Sequence, residues 1–280
     1  MINISKLLWR SKEFFLFFIS ATTIYKIHAP FAFRLIQRVF EDQSNYYAFL
    51  IIESQRNKLK KSKEKIDKIE FGEGSGSPKR EISKLAKIDS SPPDKGQLLF
   101  KLINHLQAKE ILELGTCIGI GTSYLGFANQ SSRVHSVEAC RNTLEIAQNN
   151  ILEHGLKNIN LNHSTFDDYI DKLESNKLKF DLIYIDGHHN EQATLTYFER
   201  LKPYMNEENC TVVFDDIYWS KGMKNAWGEL KRDDSFELNI DLFHIGILFR
   251  NKNLRSRASY KLVKSIWKPW ISGFFAAKTN

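Results

Sequence analysis

The chain has 280 residues, 42% of them hydrophobic, enough to bury a full-sized core as a soluble globular protein of one large domain or one domain with appendages. Its formal charge of +7 and sequence pI of about 9.1 permit an anionic partner, but the excess sits in Arg56 to Lys68 and in the tail from Arg250 to Trp270, which carries no acidic residue. Three scattered cysteines, Cys117, Cys140 and Cys210, exclude a disulfide framework and a cysteine zinc site and fit a reducing cytoplasm.

From the start of the chain, "FFLFFISATTIY" (Phe14 to Tyr25) is apolar but far short of the roughly 20 residues a spanning helix needs. Lys6, Arg10 and Lys12 precede it as in a signal peptide, yet no small-x-small cleavage site follows. The segment is therefore expected to be a buried or surface-docking helix. Residues 1–94 read as a helical, aromatic extension, broken by "EFGEGSGSPKR" and "SSPPDKG". In Arg56 to Lys68, Lys and Glu mixed at helical spacing predict a solvated helix face.

Residues 95–250 alternate. "EILEL", "RVHSVEA", "NINLNHS", "FDLIYID" and "CTVVFDD" read as strands, and "TSYLGFAN", "NTLEIAQNNILEHG", "DDYIDKLES" and "ATLTYFERLKPYM" as the helices between them. Gly155 marks a helix stop. Short apolar strands separated by helices imply an α/β fold with a doubly wound, mostly parallel sheet. "FELNIDLF" and "IGILFRN" read as two strands joined by a tight turn, placing antiparallel pairing at one edge. The basic, Trp-rich tail occupies 251–280.

In such sheets ligands bind where the strands end, so the residues just after them matter. "ILELGTCIGIG" (Ile111 to Gly121) is a glycine loop behind the first strand. It lacks the Lys-Ser/Thr of a nucleotide-triphosphate loop. Gly119 and Gly121 begin a dinucleotide fingerprint, but Tyr124 stands at its third glycine, which weakens NAD without removing it. Glu138 ends the next strand roughly 20 residues on, where a carboxylate can accept both ribose hydroxyls at about 1.5–3 kcal/mol per bond. That acid supports an adenosine ligand of either kind. The earlier "EFGEGSGS" run lacks the preceding apolar strand and the downstream acid and reads as an exposed turn.

The loop also fits E-x-G-x-x-x-G through Glu113, Gly115 and Gly119. Here the chain resembles the class I S-adenosylmethionine-dependent methyltransferases, a Rossmann-like fold with a seven-stranded sheet. The resemblance implies S-adenosyl-L-methionine as cofactor, held by Glu113, Gly115, Thr116, Gly119 and Glu138, with Thr165 and Phe166 of "HSTFDD" bordering the adenine and Asp186 closing the site.

"DLIYIDGHHN" and "VVFDDIYW" end two neighbouring strands and would bring Asp186, Asp215 and Asp216 into one crevice, a costly cluster unless a cation relieves it. Together the two motifs are similar to those of the metal-dependent catechol and caffeoyl-CoA O-methyltransferases. That likeness implies Mg²⁺ on Asp186, Asp215 and Asp216, the last standing where Asn is usual. It also implies a base at His189, where the catechol-type enzymes carry lysine, with His188 beside it. A neutral imidazole, of reference pKa near 6.5, can take a hydroxyl proton at physiological pH. Tyr218 and Trp219 offer an aromatic wall for the acceptor or belong to the core, and "HAPFAF" with Tyr46 and Tyr47 would form a helical lid. Asp215 and Asp216 have the plainer reading of a helix cap.

The stretches "IHAPFAFRLIQRVFED", "GQLLFKLINHLQAKEILELGTCIGIGTSYLG", "DDIYWSKGMKNAWGELK" and "IDLFHIGILFR" resemble a group of Bacteroidetes class I methyltransferases over about the first 250 residues. That group supplies no substrate. The expected function is O-methylation of a small hydroxylated molecule. The alternatives are methylation of a macromolecule, or a non-catalytic protein on this fold that binds a membrane or partner through Trp267, Trp270 and Phe274. A small-molecule acceptor, rather than nucleic acid, is the expected partner. Membrane contact by the tail and a homodimer are compatible with the sequence.

Overall fold

A computed structural model describes residues 4–67, 79–175, 177–254 and 256–271. In chain order its first helices are α1 (Ile4–Ser20), α2 (Pro30–Leu35) and α3 (Tyr47–Leu59). The hairpin strands β1 (Lys65–Asp67) and β2 (Lys79–Glu81) follow, then a one-turn α4 (Ile82–Lys84) and α5 (Pro93–Leu106). The alternating region comprises β3 (Glu110–Leu114), α6 (Ile120–Ala128), β4 (Arg133–Glu138), α7 (Arg141–Glu153), β5 (Ile159–His163), α8 (Phe166–Leu173), β6 (Leu182–Ile185), α9 (Glu191–Leu201) and β7 (Asn209–Asp215). It closes with α10 (Lys221–Leu230), β8 (Leu238–Asp241), β9 (Ile245–Asn251) and β10 (Ala258–Lys261). The "EFGEGSGS" turn and Phe274 lie outside the described residues.

The chain divides into two compact units. One comprises residues 44–188 and 197–206, the other residues 1–43, 189–196 and 207–280. In the first, the strands lie in the order β6-β3-β4-β5, all parallel. Because β4 and β5 lie to one side of β3 while β6 lies to the other, strand order reverses between β3 and β6. That reversal opens a crevice beyond their carboxyl ends. β3 and β6 are mostly apolar inside, with Ile111, Leu112, Leu114, Leu182 and Ile183 buried, as a sheet covered on both faces requires; Glu113 is the buried exception in β3. α5 starts on Pro93, whose missing N–H costs nothing at a first helical position. Gly155 ends the α7 turn at φ 68, as its place in the sequence predicts.

The second unit holds β10-β8-β9-β7, with β8 and β7 antiparallel to β9. The tight turn between β8 and β9 places Phe243 at φ 71. β10 runs parallel to β8, Ala258 opposite Leu238 through Lys261 opposite Asp241. The fold is therefore a Rossmann-like, doubly wound, mostly parallel arrangement, but with eight strands where seven were expected. The additional strand, "ASYK", comes from the basic tail and lacks the apolar alternation that marks a strand.

The first apolar segment also differs from expectation. The helix runs over Ile4–Ser20 rather than Phe14–Tyr25, because beyond Ser20 the chain becomes extended: the amide of Thr22 donates to the Lys261 carbonyl at 2.8 Å and the amide of Val263 to the Thr22 carbonyl at 3.0 Å. No helix among the described residues is long and apolar enough to cross a membrane.

Candidate active site

In the first unit the loop after β3 carries both of its marker glycines in left-handed backbone, Gly115 at φ 115 and Gly119 at φ 78. Protein surrounds them closely. A Cβ on Gly115 would lie 2.0 Å from the backbone oxygen of Asp186, and one on Gly119 would lie 2.9 Å from the Cβ of Ala147 on α7. Their lack of a side chain therefore serves close approach of the loop to β6 and to α7, beyond any approach to a ligand. Cys117 between them is also left-handed, at φ 50.

Glu138, at the end of β4, holds this loop from the side. Its Oε2 accepts the backbone N–H of Cys117 at 2.8 Å and its Oε1 that of Cys140 at 2.9 Å. The half-buried carboxylate is thereby aimed by two charge-assisted bonds. An ionised carboxylate only accepts, so the groups that can meet it from the crevice are donors.

Glu113 has a different place from its neighbour in the motif. It is almost wholly buried, and its Oε2 accepts the hydroxyls of Thr122 at 2.6 Å and Ser136 at 2.5 Å. Ser136 also shares a hydrogen bond with the hydroxyl of Thr116 at 2.5 Å. Glu113 faces Ser136 because the two residues are register partners in β3 and β4. Burial pushes its pKa up to about 7, against the lowering effect of the Ser136 and Thr122 hydrogen bonds. Thr116 and Glu113 thus belong to one buried network beneath the loop.

Asp186 follows β6, and its Oδ2 accepts the hydroxyl of Tyr184 at 2.9 Å and, more distantly, that of Ser91 at 3.5 Å. Two positions apart on a strand, Tyr184 and Asp186 share a face. Sequence reading passed over Tyr184 and Ser91. The i, i+2 relation was the available signal for the tyrosine, whereas nothing local identifies Ser91, which comes from the "SSPPDKG" turn.

Thr165 caps α8, accepting the Asp168 amide at 3.1 Å and donating to the Asp168 carboxylate at 2.7 Å. Phe166 is buried, its ring meeting His188 at 5.2 Å and Tyr197 at 5.7 Å between centroids. A Cβ on Gly187 would fall 2.6 Å from that ring, so the glycine of "DGHH" lets the loop after β6 lie on Phe166. His188 itself takes left-handed backbone at φ 58.

In the second unit β7 ends in the buried Asp215, whose Oδ1 accepts the amide of Asp216 at 2.8 Å. Asp216 turns the chain at φ 50, a conformation that Asp and Asn tolerate better than other side chains. Tyr218 is core. It stacks on Phe243 at 4.7 Å and donates to Asp241 at 3.1 Å, which with burial raises its pKa. Trp219 is half-buried, with the ring of His189 at 6.4 Å and the Lys6 ammonium 3.7 Å above its centroid. Asp186 lies in one unit and Asp215 and Asp216 in the other. Among the described residues no group of three or more His, Cys, Asp or Glu is arranged to hold a metal ion.

Residues 112–217, from within β3 to just past the end of β7, match the family described as "Methyltransferase domain". Over this segment the chain is similar to methyltransferase domains. No curated protein matches the chain in sequence. Among solved structures, an O-methyltransferase from Bacillus cereus in complex with SAH is similar at a TM-score of 0.55 and 17% identity, covering 78% of this chain and 96% of that one. SAH-bound PaMTH1 from Podospora anserina has a TM-score of 0.55 and 13% identity, covering 81% and 97%. A putative caffeoyl-CoA O-methyltransferase from Staphylococcus aureus has a TM-score of 0.51 and 18% identity, covering 61% and 90%. The matched segment thus has the class I methyltransferase fold.

Proposed function

We propose that this chain is an S-adenosylmethionine-dependent O-methyltransferase of a small hydroxylated molecule. The observation that carries the proposal is the Glu138 carboxylate, fixed by two backbone N–H groups beside a left-handed glycine loop at the reversal of strand order. A carboxylate so placed grips the hydroxyl pair of a nucleoside sugar. The SAH complexes of similar structures agree with it. The NAD reading is disfavoured by Tyr124, which is fully buried and lies so close over Gly96 that a Cβ there would be 2.3 Å from its ring. The small third residue that a dinucleotide fingerprint uses for close helix packing is absent from this contact.

In this reading Gly115 and Gly119 shape the loop, Glu138 accepts from the ribose, and Thr165, Phe166 and Asp186 border the rest of the cofactor. Glu113 and Thr116 act from beneath by fixing the loop. When bound, the cofactor supplies an electrophilic methyl group on a sulfonium. The chain must align the acceptor oxygen at about 3 Å from that carbon, in line with the breaking C–S bond, and exclude water. His189 takes the hydroxyl proton on a ring nitrogen as the O–C bond forms, and His188 contacts cofactor or substrate. Trp219, its ring 6.4 Å from that of His189, is the aromatic wall beside the base.

The test is transfer of tritiated methyl from S-adenosylmethionine to a panel of hydroxylated small molecules, with and without chelator. Labelling that His189→Ala abolishes while cofactor binding persists supports the proposal. No labelling of any hydroxyl compound, with labelling of protein or RNA instead, overturns it. The chelator arm tests the Mg²⁺ assistance that the likeness of Asp186, Asp215 and Asp216 to metal-dependent O-methyltransferases implies. Loss of activity in chelator would mean that the carboxylates gather around a cation in the loaded enzyme.

A further inference from the structure

α1 is oriented the wrong way round for an ordinary surface helix. Its Ile4, Leu8, Ser11, Phe15 and Ile19 recur at four, seven, eleven and fifteen residues from the first, the spacing of one helical face. That face points outward, and Ile4, Leu8, Phe15 and Ile19 are 62–70% exposed. The inward face carries Phe17 together with charged residues. Glu13 is buried in an ion pair with Lys224 at 2.7 Å, and Lys6 and Arg10 lie over the ring of Trp219.

A second element from the far end of the chain adds to this face. Lys268 is buried against the end of α1, donating to the carbonyl of Ala21 at 2.6 Å and of Ile19 at 3.3 Å, with its ammonium 4.7 Å from the Phe18 ring. This tie fixes the residues on either side of Lys268 beside the helix end. Ile266, Trp267 and Trp270 there are 53–68% exposed. An apolar patch therefore combines an amphipathic helix with two exposed tryptophans.

Charge identifies the occupant. Lys12 is exposed on α1 along the flank of that face, one helical turn from Leu8 and Phe15, and the exposed Lys26 is close enough to Lys268 for the two charges to interact. Two acids of the same unit are turned to internal partners, Glu13 to Lys224 and Glu41 to the amide and hydroxyl of Ser265. A second copy docked by two-fold symmetry would bring this basic fringe against itself. A lipid surface with anionic headgroups satisfies both the apolar face and the cations, and tryptophan favours the headgroup level. Since no described helix can span, the contact is with one leaflet.

We propose that the outward face of α1 and the Trp267–Trp270 segment dock this protein on an anionic membrane surface. The proposal stands independently of the reaction. The full chain is sedimented with phosphatidylcholine vesicles with and without phosphatidylglycerol. It should pellet with the anionic vesicles, less so at high salt, and the Leu8→Glu, Phe15→Glu double variant should lose at least about tenfold in partitioning while keeping its circular dichroism. Wild-type tryptophan fluorescence, quenched by brominated lipid and spared in Trp267→Phe, Trp270→Phe, gives a readout that needs no helix variant. Absence of pelleting, equal pelleting by the glutamate variant, or a light-scattering dimer that the same two substitutions break would overturn the proposal.

Discussion

The loop that leaves β3 turns on two left-handed glycines and is pinned by a carboxylate from the neighbouring strand, whereas the loop that leaves β7 turns on Asp216 and is pinned by aromatic packing. In the first, approaches of 2.0 Å from the Asp186 backbone oxygen and 2.9 Å from the Ala147 Cβ to a would-be Cβ leave no room for any side chain. In the second, Tyr218, Phe243 and Phe17 form one cluster, with ring centroids 4.7–6.2 Å apart, around Asp241, which accepts from Tyr218, from the indole of Trp227 at 3.0 Å and from the amide of Phe243 at 3.0 Å. The difference shows where tolerance lies. A loop shaped by missing atoms cannot accept additions, while a loop shaped by packed rings cannot accept deletions.

Substitutions can break each arm of that comparison. The largest effect is expected at Gly115→Ala, where the new methyl meets a backbone oxygen in a strained conformation. More than about 4 kcal/mol should be lost in urea unfolding, with cofactor binding abolished. Asp241→Ala leaves the buried donors of Tyr218 and Trp227 unpartnered and should cost about 3 kcal/mol. A loss under about 1 kcal/mol at Asp241 would show that the second loop does not depend on this network.

Glu113 sharpens the comparison through pH. Its folded pKa of about 7 lies above the ordinary 4.5, so between these values the folded chain binds more protons than the unfolded one. Stability from this group is therefore present at acid pH and lost as pH rises through about 7. Urea unfolding at pH 5 and pH 8 should show the wild type losing roughly 2–3 kcal/mol more than Glu113→Gln over that interval. An equal change in both proteins would mean that the carboxyl is not held neutral beneath the loop.

Much of this arrangement was legible in the sequence. The strands β3 to β9 announce themselves by apolar runs between helical stretches, and Gly115 and Glu138 by their position just after strands. What the residues could not show is contact across distance. That Gly119 faces Ala147, or that Ser91 reaches Asp186, depends on elements that meet only in the fold. β10 was hidden because "ASYK" is polar and owes its strand to β8 alone. The apolar stretch near the start was legible as a helix, but its outward face was not, since periodicity gives a stripe without saying what covers it. The same limit applied to Glu113, where the motif marks the position but not that burial and two hydroxyls occupy the carboxylate.

The central claim is that Glu138, aimed by the amides of Cys117 and Cys140, grips the sugar of a sulfonium nucleoside. Calorimetric titration of S-adenosylhomocysteine into the wild type and Glu138→Gln tests it most directly. The wild type should bind, and the variant at least about tenfold more weakly, equivalent to roughly 1.4 kcal/mol. A wild type that takes up no S-adenosylhomocysteine, or a variant that binds it equally well, would contradict the account.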